Sequence, residues 1–288
     1  MIDMVLFIVV RTIIFLFNIF PFHVSCHIGR CIGYTIFLFD IKHRKVALEN
    51  LRISFPHKPK EEIHAIAKSV FKNIGIMAVE IAKIHKDGKN FIESSVRFEG
   101  MENMENALRK GKGVLLMSCH MGNWEMGAIG YGSAYPTNFV VRPIDNPYIN
   151  GIARRIRGIY GSGLIVKKNA IREILRCLRR KESVAILMDQ NVLEEEGVDV
   201  DFFGRKTCTS PVVSFIALRK GTPVLPVFAI RESPGKIKII VEPEVEVKST
   251  GDRKADIQKY TQLFTGIIET YVRRYPDQWF WVHNRWKR

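Results

Sequence analysis

The sequence is poor in cysteine and lacks the short motifs that mark several large enzyme classes. It has 5 cysteines among 288 residues, and no two of them form a C-x-x-C pair. An odd number without such a pair disfavours a zinc centre or a disulfide framework and fits a reducing compartment. The chain also lacks G-x-S-x-G, Walker A, H-E-x-x-H and G-x-G-x-x-G sequences. It therefore carries no motif of the corresponding hydrolases, nucleotidases, zinc proteases or dinucleotide enzymes.

Acidic residues are in the minority, with 29 Asp and Glu against 44 Lys and Arg and a net charge of +15. A surplus of this size predicts an anionic partner. Anionic lipid, an acidic carrier protein and nucleic acid all qualify, and a solvated basic surface without a partner is the alternative. With 47% hydrophobic residues, the chain has a globular composition. Its length suits one large domain, or one domain with an appendage.

Charge is nearly absent from the N-terminus. Residues 4–22 are apolar except for Arg11 and Asn18, and they approach the roughly 20 residues that a spanning helix needs. The segment lacks a basic leading region and an A-x-A site, which disfavours a removable signal peptide. We predict that residues 1–41 form an apolar membrane-anchoring segment. It either spans with Arg11 snorkelling or lies in the interface plane, and a buried core helix is the third alternative.

Residues 42–288 show the pattern of an α/β domain. Helical spacing covers residues 42–85, where Pro56 and Pro59 separate two helices. Apolar runs of strand length then alternate with helical stretches, which predicts a layered domain with a mostly parallel central sheet flanked by helices. The predicted strands are 114–119, 138–141, 184–188 and 224–230, and the predicted helices between them are 124–131, 147–160, 170–181 and 212–220. Residues 236–247 predict an antiparallel or edge strand, and residues 252–274 a closing helix. We expect Gly161 and Gly221 to end helices.

The sharpest local feature is SCHMGNWEMG at residues 118–127. His120 directly follows a predicted buried strand, Gly122 suits a turn, and Asn123 is a good N-cap for the next helix. Ligands collect at the carboxyl ends of strands in such sheets, which is where His120 should lie. Across this junction, Glu125 can accept a hydrogen bond from the N–H of one imidazole nitrogen, which leaves the other nitrogen free as a general base. A His and a Glu five residues apart are also common by chance.

Other polar residues follow predicted strands at the same sheet edge. Arg142, Asp189 and Gln190 are candidates for binding substrate together with Asn123, since the planar fork of an arginine suits phosphate or carboxylate. A purely structural ion pair between Arg142 and Asp189 is the alternative. Cys119 is a rival nucleophile, but neighbouring strand residues face opposite sides, so we expect it to be buried away from His120.

The C-terminal sequence RRYPDQWFWVHNRWKR combines aromatic and basic residues. This combination fits a membrane interface and also fits stacking on nucleic acid. Plain packing of the aromatic rings within the fold is an equally good interpretation.

The residues around His120 and Glu125 resemble the H-x4-D/E motif of the glycerolipid acyltransferase superfamily. Within it, the chain resembles the late acyltransferases of lipid A biosynthesis, the lauroyl and myristoyl transferases, from about residue 40 onward. The blocks that carry the resemblance are Arg44 with Asn50-Leu51 and Phe55-Pro56, then Glu80, Arg142-Pro143, Asp189-Gln190, Phe202-Phe203-Gly204, Pro223 to Pro226, and Trp281 to Lys287. The E-G-T-R-S-like block typical of the glycerol-phosphate branch is missing, which disfavours a lysophosphatidate acceptor.

The resemblance implies an α/β domain with a His–acid pair at the mouth of an acyl-chain channel. It implies an acyl donor on acyl carrier protein or coenzyme A, and a glycolipid acceptor such as a lipid A precursor. It places the chain at the cytoplasmic face of the bacterial inner membrane, with an anionic membrane surface as partner. No metal or redox cofactor and no nucleic acid are expected. The other hypotheses are a non-catalytic basic protein that binds membranes or nucleic acid, and an acyl-thioester hydrolase that uses the same base on water.

Overall fold

The computed structural model describes residues 2–168 and 170–287. Within those residues, seven strands form one sheet in the spatial order β1-β9-β8-β2-β5-β3-β4, and a separate hairpin is formed by β6 and β7. The strands are β1 Val96–Glu99, β2 Val114–Ser118, β3 Thr137–Val141, β4 Gly163–Val166, β5 Ser183–Leu187, β6 Val198–Phe202, β7 Arg205–Thr209, β8 Val224–Ser233 and β9 Lys236–Val241. In the large sheet β8 and β9 pair antiparallel, while the other neighbours are parallel. The predicted fold class is confirmed.

Helices precede the sheet and cover both of its faces. They are α1 Ile2–Ile19, α2 Phe22–Phe39, α3 Ile41–Ser54, α4 Lys60–Asp87, α5 Lys89–Ser95, α6 Met101–Arg109, α7 Trp124–Ala134, α8 Pro147–Arg157, α9 Ala170–Arg179, α10 Val212–Lys220 and α11 Arg253–Arg274. Gly221 ends α10 in the left-handed conformation, as predicted. The end predicted for α8 at Gly161 is wrong, because the helix already stops at Gly158.

The two faces of the sheet bury different helices. Leu115 and Met117 of β2 pack in one cluster with Phe264 of α11, whereas Leu116 packs in another cluster with Met126 of α7. This alternation follows from the period of two residues along a strand. The space beneath α7 therefore lies on the opposite side of the sheet from α11.

The hairpin of β6 and β7 was not predicted from the sequence. Its two-residue turn, Phe203 and Gly204, has positive φ at both positions, 57° and 73°, as a type I′ turn requires. Asn-Gly or Asp-Gly usually occupies such a turn, so the sequence Phe-Gly does not predict a hairpin here. The predicted strand over 236–247 is also shorter in the structure, where β9 ends at Val241.

The N-terminal helices are attached to the rest of the chain. Gly29 and Gly33 of α2 face Gly75 of α4 so closely that a Cβ on Gly75 would lie 1.9 Å from the Gly29 carbonyl oxygen. Small residues at such a crossing let two helix backbones approach. The segment 1–41 is thus in contact with the domain, and its role as a membrane anchor stays a prediction.

Among the described residues, one helix is long and apolar enough to cross a membrane, namely α1, with 18 residues and a mean hydropathy of 2.3. The pair of α2 and α3 meets the same criteria only when taken together, and it is bent by 90°.

The α2–α4 crossing predicts a sharp difference between two glycine substitutions. Gly75→Ala should destabilise the protein by about 1–3 kcal/mol, since the new methyl group meets backbone that cannot move aside alone. Gly266→Ala in α11 is the matched control, because nothing lies within 4 Å of its Cβ position. This change should raise the free energy of unfolding by about 0.5–1 kcal/mol. Thermal unfolding in detergent measures both. Equal stability of the two variants would contradict the described packing.

Candidate active site

The turn between β2 and α7 carries His120 and is built as the sequence predicted. Gly122 has φ of 58°, and a Cβ there would lie 2.2 Å from the Ala229 carbonyl oxygen. Only glycine fits this position without strain. Asn123 caps α7, because its side-chain oxygen accepts a hydrogen bond of 3.0 Å from the backbone N–H of Met126.

Asp189 binds His120 at two points. Its Oδ1 lies 2.8 Å from Nδ1 of His120, and its Oδ2 accepts a bond of 3.0 Å from the His120 backbone N–H. The indole N–H of Trp279 donates to the same Oδ2 at 2.7 Å. The parallel register explains the meeting: Ser118 of β2 lies opposite Leu187 of β5, so residues 120 and 189 follow at the same level.

Burial and charge act in opposite directions on this pair. Asp189 is buried, with 3% of its surface exposed, and the side chain of His120 is 18% exposed. Burial alone lowers the pKa of His120, but the charge and hydrogen bond of Asp189 and the charge of Glu125 outweigh it, so this pKa is raised. For Asp189 the directions are opposite. Burial raises its pKa, but the charge of His120 and the hydrogen bonds from His120 and Trp279 outweigh burial, so the pKa of Asp189 is lowered. Asp189 is therefore an anion, and its partner at Nδ1 is an N–H donor.

The prediction that Glu125 accepts a hydrogen bond from His120 is wrong. Glu125 instead accepts two bonds from the guanidinium of Arg157, at 2.7 Å from Nε and 2.5 Å from Nη2. Arg157 lies at the end of α8 and its planar fork fits both carboxylate oxygens. Glu125 remains close enough to His120 to influence its pKa by charge. The sequence placed Glu125 at the site, but it could not show which side chain would donate hydrogen bonds to the Glu125 carboxylate.

His120 lines a cavity of about 230 Å³. The cavity lies beneath α7, on the sheet face that carries Leu116 and Ser118. Small residues form part of its wall, and Arg142 lies at its exposed end. The polar or aromatic side chains on its lining are Ser118, His120, Trp124, Glu125, Tyr131, Phe139, Arg142 and Arg157, and the remaining lining is aliphatic or glycine. The space therefore suits an extended apolar group whose head lies at His120.

The other predicted binding residues differ in their surroundings. Arg142 is exposed and pairs with Asp145 at 3.3 Å, so the alternative of a structural ion pair between Arg142 and Asp189 is wrong. Arg142 lies at the cavity mouth, and its role in binding substrate stays a prediction. Gln190 is partly exposed beside Asp189, and its binding role stays a prediction. Asn123 is fully buried, and both of its side-chain polar atoms form hydrogen bonds within the protein. It therefore supports the turn, and its role in binding substrate stays a prediction.

The turn rests on a buried ionic cluster that sequence analysis did not identify. Glu80 of α4, fully buried, accepts from Asn123 Nδ2 at 2.8 Å, from the guanidinium of Arg231 and from the Gly235 N–H. A buried carboxylate is stable only when it is paired and hydrogen-bonded in this way. The cluster ties α4 and β8 to the cap of α7. Glu80 appeared only as one matching position in the resemblance, without a role.

The structure also shows the surroundings of Cys119 and of the C-terminal aromatic residues. Cys119 is 2% exposed and packs in the buried cluster on the α11 side of the sheet, which confirms that it is buried away from the cavity. Burial also holds the pKa of its thiol well above the ordinary range. Trp279 and Trp281 are buried, so the C-terminal aromatic rings pack within the fold. The hypothesis that they meet a membrane or stack on nucleic acid is wrong for these two residues. Across residues 2–168 and 170–287, no group of three or more His, Cys, Asp or Glu is arranged to hold a metal ion.

Comparison with known proteins gives a family match over nearly the whole chain. The sequence model described as bacterial lipid A biosynthesis acyltransferase matches residues 2–288. The chain is 24% identical to the lipid A biosynthesis palmitoleoyltransferase of Escherichia coli over 269 residues, which is 93% of this chain and 86% of the relative. It is 22% identical to the lipid A biosynthesis lauroyltransferase of the same organism, with the same coverage of both chains.

A lipid A biosynthesis acyltransferase of Haemophilus influenzae is 25% identical over 84% of this chain and 74% of its own length. Among solved structures, the chain is similar to the 1-acyl-sn-glycerophosphate acyltransferase of Thermotoga maritima. That likeness has a TM-score of 0.40 and 17% identity, and it covers 87% of this chain and 97% of the other.

The Asp189 contact predicts the titration of His120. Because the charge of Asp189 favours the imidazolium, the pKa of His120 should lie above the ordinary value of about 6.5. Asp189→Asn removes that charge and should move the pKa downward. NMR titration of the labelled imidazole measures both values, and Glu173→Gln on the exposed side of α9 is the control that removes a distant carboxylate. An unchanged His120 pKa in Asp189→Asn would contradict the pairing.

Proposed function

The chain belongs to the bacterial lipid A biosynthesis acyltransferase family and is an acyltransferase, and on this premise we propose how it works. It moves a fatty acyl chain from a thioester donor to a hydroxyl of a glycolipid such as a lipid A precursor. His120 is the general base. The transfer takes place at the cytoplasmic face of the bacterial inner membrane.

One observation carries the proposal: His120 is hydrogen-bonded to a buried carboxylate through Nδ1 and also lines a largely apolar cavity. The contact with Asp189 fixes the proton on Nδ1, so Nε2 is unprotonated in the neutral imidazole and free to accept a proton. A base that is oriented in this way and adjoins an acyl-sized apolar space suits attack on a fatty acyl carbonyl.

The proposed reaction has two steps. The acceptor hydroxyl oxygen attacks the thioester carbonyl carbon while its proton moves to Nε2 of His120, and a tetrahedral oxyanion forms. The oxyanion then collapses, the C–S bond breaks, and the imidazolium returns its proton to the leaving thiolate. The products are the ester and the free thiol of the donor. Asp189 stabilises the imidazolium between the two steps by its charge.

Glu125 and Arg157 have a supporting role in this proposal. Both line the cavity, and together they form a two-point ion pair that is only partly exposed. Glu125 favours the imidazolium through space. Arg157 places a planar cation beside the reacting carbonyl, where developing negative charge needs a donor. Glu125 thus remains a site residue, although a different carboxylate orients His120.

The donor is acyl carrier protein or coenzyme A. Both carry the acyl group as a thioester on a phosphorylated arm, and both are anionic, which agrees with the net charge of +15. Arg142 stands exposed at the cavity mouth and offers a fork for a phosphate of that arm. Relatives are named for palmitoleoyl, lauroyl and myristoyl transfer, so members of the family differ in the acyl chain that they transfer. We attribute the chain preference of this protein to the lining of its own cavity.

An acyl-thioester hydrolase would use the same base on water. The two activities are separated by product analysis with and without a glycolipid acceptor, since a transferase forms an acylated lipid and a hydrolase forms free fatty acid in both cases.

The central substitution is His120→Ala. It removes the base while the turn keeps its glycine and its cap, so acyl transfer should fall by on the order of 10²–10⁴-fold or more. The variant should still unfold cooperatively, at a lower temperature than the unmodified chain, because Asp189 loses one of its buried partners. Mass spectrometry of lipids from cells that carry each variant should show loss of one acyl chain from a glycolipid. His57→Ala, at an exposed histidine, is the matched control and should keep the chain. Retention of most transfer activity by His120→Ala would refute the mechanism.

The cavity wall predicts which residue limits the acyl chain. Ala185 of β5 lines the cavity four residues before Asp189, about 13 Å along the strand. Ala185→Leu fills this deep part, so the preferred donor should become shorter and transfer of longer chains should fall at least about tenfold, since a filled pocket cannot repack freely. Competition between donors of several lengths measures the preference. Ala185→Ser is the small control, and an unchanged preference in Ala185→Leu would place the acyl chain elsewhere.

A further inference from the structure

Helix α1 touches the rest of the protein along one face. Its less exposed residues are Phe7, Val10, Ile14, Phe17 and Asn18. Spacings of three, four, three and one residues bring all of these to one side of an α-helix. The contact face therefore runs along the axis of α1 and is not confined to one end.

The beginning of α1 is bound to α8. Asn146, the N-cap of α8, donates a hydrogen bond of 2.8 Å from its side-chain amide to the Asp3 carbonyl oxygen. One turn further, the rings of Phe7 and Tyr148 are 5.4 Å apart. The first turns of α1 thus lie against the start of α8.

The end of α1 is bound to α4. The side-chain amide of Asn18 donates to the Ala82 carbonyl oxygen at 3.0 Å, and Nζ of Lys86 donates to the Asn18 carbonyl oxygen at 3.3 Å. Phe17 is 5% exposed and packs in a buried cluster with Val79. Both ends of the helix are therefore fastened to the domain.

The opposite face of α1 is apolar and bare. Val5, Val9 and Leu16 lie about half a turn away from Phe7 and Ile14 and are 56%, 48% and 47% exposed. Further exposed apolar side chains on α1 are Ile2, Met4, Leu6, Ile8, Ile13, Phe15 and Ile19. Soluble proteins rarely leave so continuous an apolar surface in water, so this face calls for lipid or another apolar partner.

Charged groups meet α1 near its midpoint. Arg11 of α1 and Arg155 of α8 both lie close enough to His85 of α4 to contribute to lowering its pKa, after the larger effect of burial. Arg155 is exposed. The spacing from Phe7 puts Arg11 towards the contact face, and not at the centre of the bare face.

These contacts decide between two orientations in a bilayer. Eighteen residues extend about 27 Å, close to the hydrocarbon thickness. Because α4 and α8 flank the helix at its two ends, a spanning α1 would carry them into the bilayer. The cation Arg155 and the polar imidazole of His85 would then lie in hydrocarbon, where charged and polar groups are costly. A helix in the membrane plane immerses only the bare face and leaves the charges at headgroup level.

We propose that α1 lies in the plane of the membrane surface, with its bare face in one leaflet, and does not cross the bilayer. The partner is the anionic lipid bilayer, for which the net charge of +15 supplies the complementary sign. The proposal rests on the membrane location proposed above and adds the topology.

The proposed orientation also brings the cavity mouth to the leaflet. The loop that Asn146 ties to Asp3 includes Arg142, which lines the mouth. Ile144 and Tyr148, in and next to this loop, are 37% and 45% exposed, so apolar side chains also lie beside the mouth, next to the first turns of α1. A glycolipid acceptor can then reach His120 with its acyl chains still in the leaflet.

Labelling from each side of the membrane tests the topology. A cysteine in a short Gly-Ser extension is placed before the first residue or, in a second form, after the last, with Cys31→Ser in both because Cys31 is exposed. A membrane-impermeant maleimide is applied to spheroplasts and to inverted inner-membrane vesicles. We expect both tags to react in inverted vesicles and neither in spheroplasts. Reaction of the first tag in spheroplasts, with the second reacting only in inverted vesicles, would show a spanning α1 and overturn the proposal.

Vesicle binding distinguishes failure of this proposal from failure of the proposed location. Val9→Glu, on the bare face, should weaken binding of the purified chain to vesicles of phosphatidylethanolamine and phosphatidylglycerol at least tenfold. Thr270→Glu, exposed on α11, makes the same charge change and should leave binding unchanged. Equal weakening by both variants would mean that charge alone binds the chain and that α1 does not enter lipid. Recovery of the unmodified chain wholly in the soluble fraction would overturn both the location and the topology.

Discussion

The site depends on one interaction, the pairing of His120 with a carboxylate buried at the edge of the sheet. Asp189 receives hydrogen bonds from the imidazole, from the backbone of His120 and from Trp279. These three donors keep it charged in spite of its burial, and the charge in turn keeps the proton on Nδ1. The parallel register of β2 and β5 brings the two residues to the same level beyond the strand ends, so the order of the strands sets the geometry of the pair.

The rest of the fold supports this pair from two directions. Gly122 and Asn123 turn the chain from β2 into α7, and Glu80 anchors that cap from α4. The C-terminal segment runs alongside, where Phe280 donates its backbone N–H to the His120 carbonyl oxygen at 3.0 Å. The first helices, through α4, and the last residues of the chain thus meet at the same turn.

Local features of this site could be predicted from the sequence, whereas its partnerships could not. The apolar run before His120, the glycine turn and the Asn123 cap are short-range patterns, and each holds in the structure. The sequence also placed Asp189 at the same sheet edge. Which carboxylate would reach the imidazole depends on the order of the strands, and β2 next to β5 is a property of the tertiary fold. Glu125 was predicted to bind His120 because the two are close in sequence. In the structure its carboxylate oxygens accept hydrogen bonds from Arg157, 32 residues away.

The most direct measurement of the central claim is a crystal structure with a non-hydrolysable acyl-thioester analogue bound. The account predicts that the acyl chain fills the cavity beneath α7, with its far end near Ala185. It also predicts that the carbonyl carbon lies where an acceptor oxygen, about 3–3.5 Å away, would be within hydrogen-bond reach of Nε2 of His120. An acyl chain bound outside this cavity, or a carbonyl group remote from His120, would contradict it.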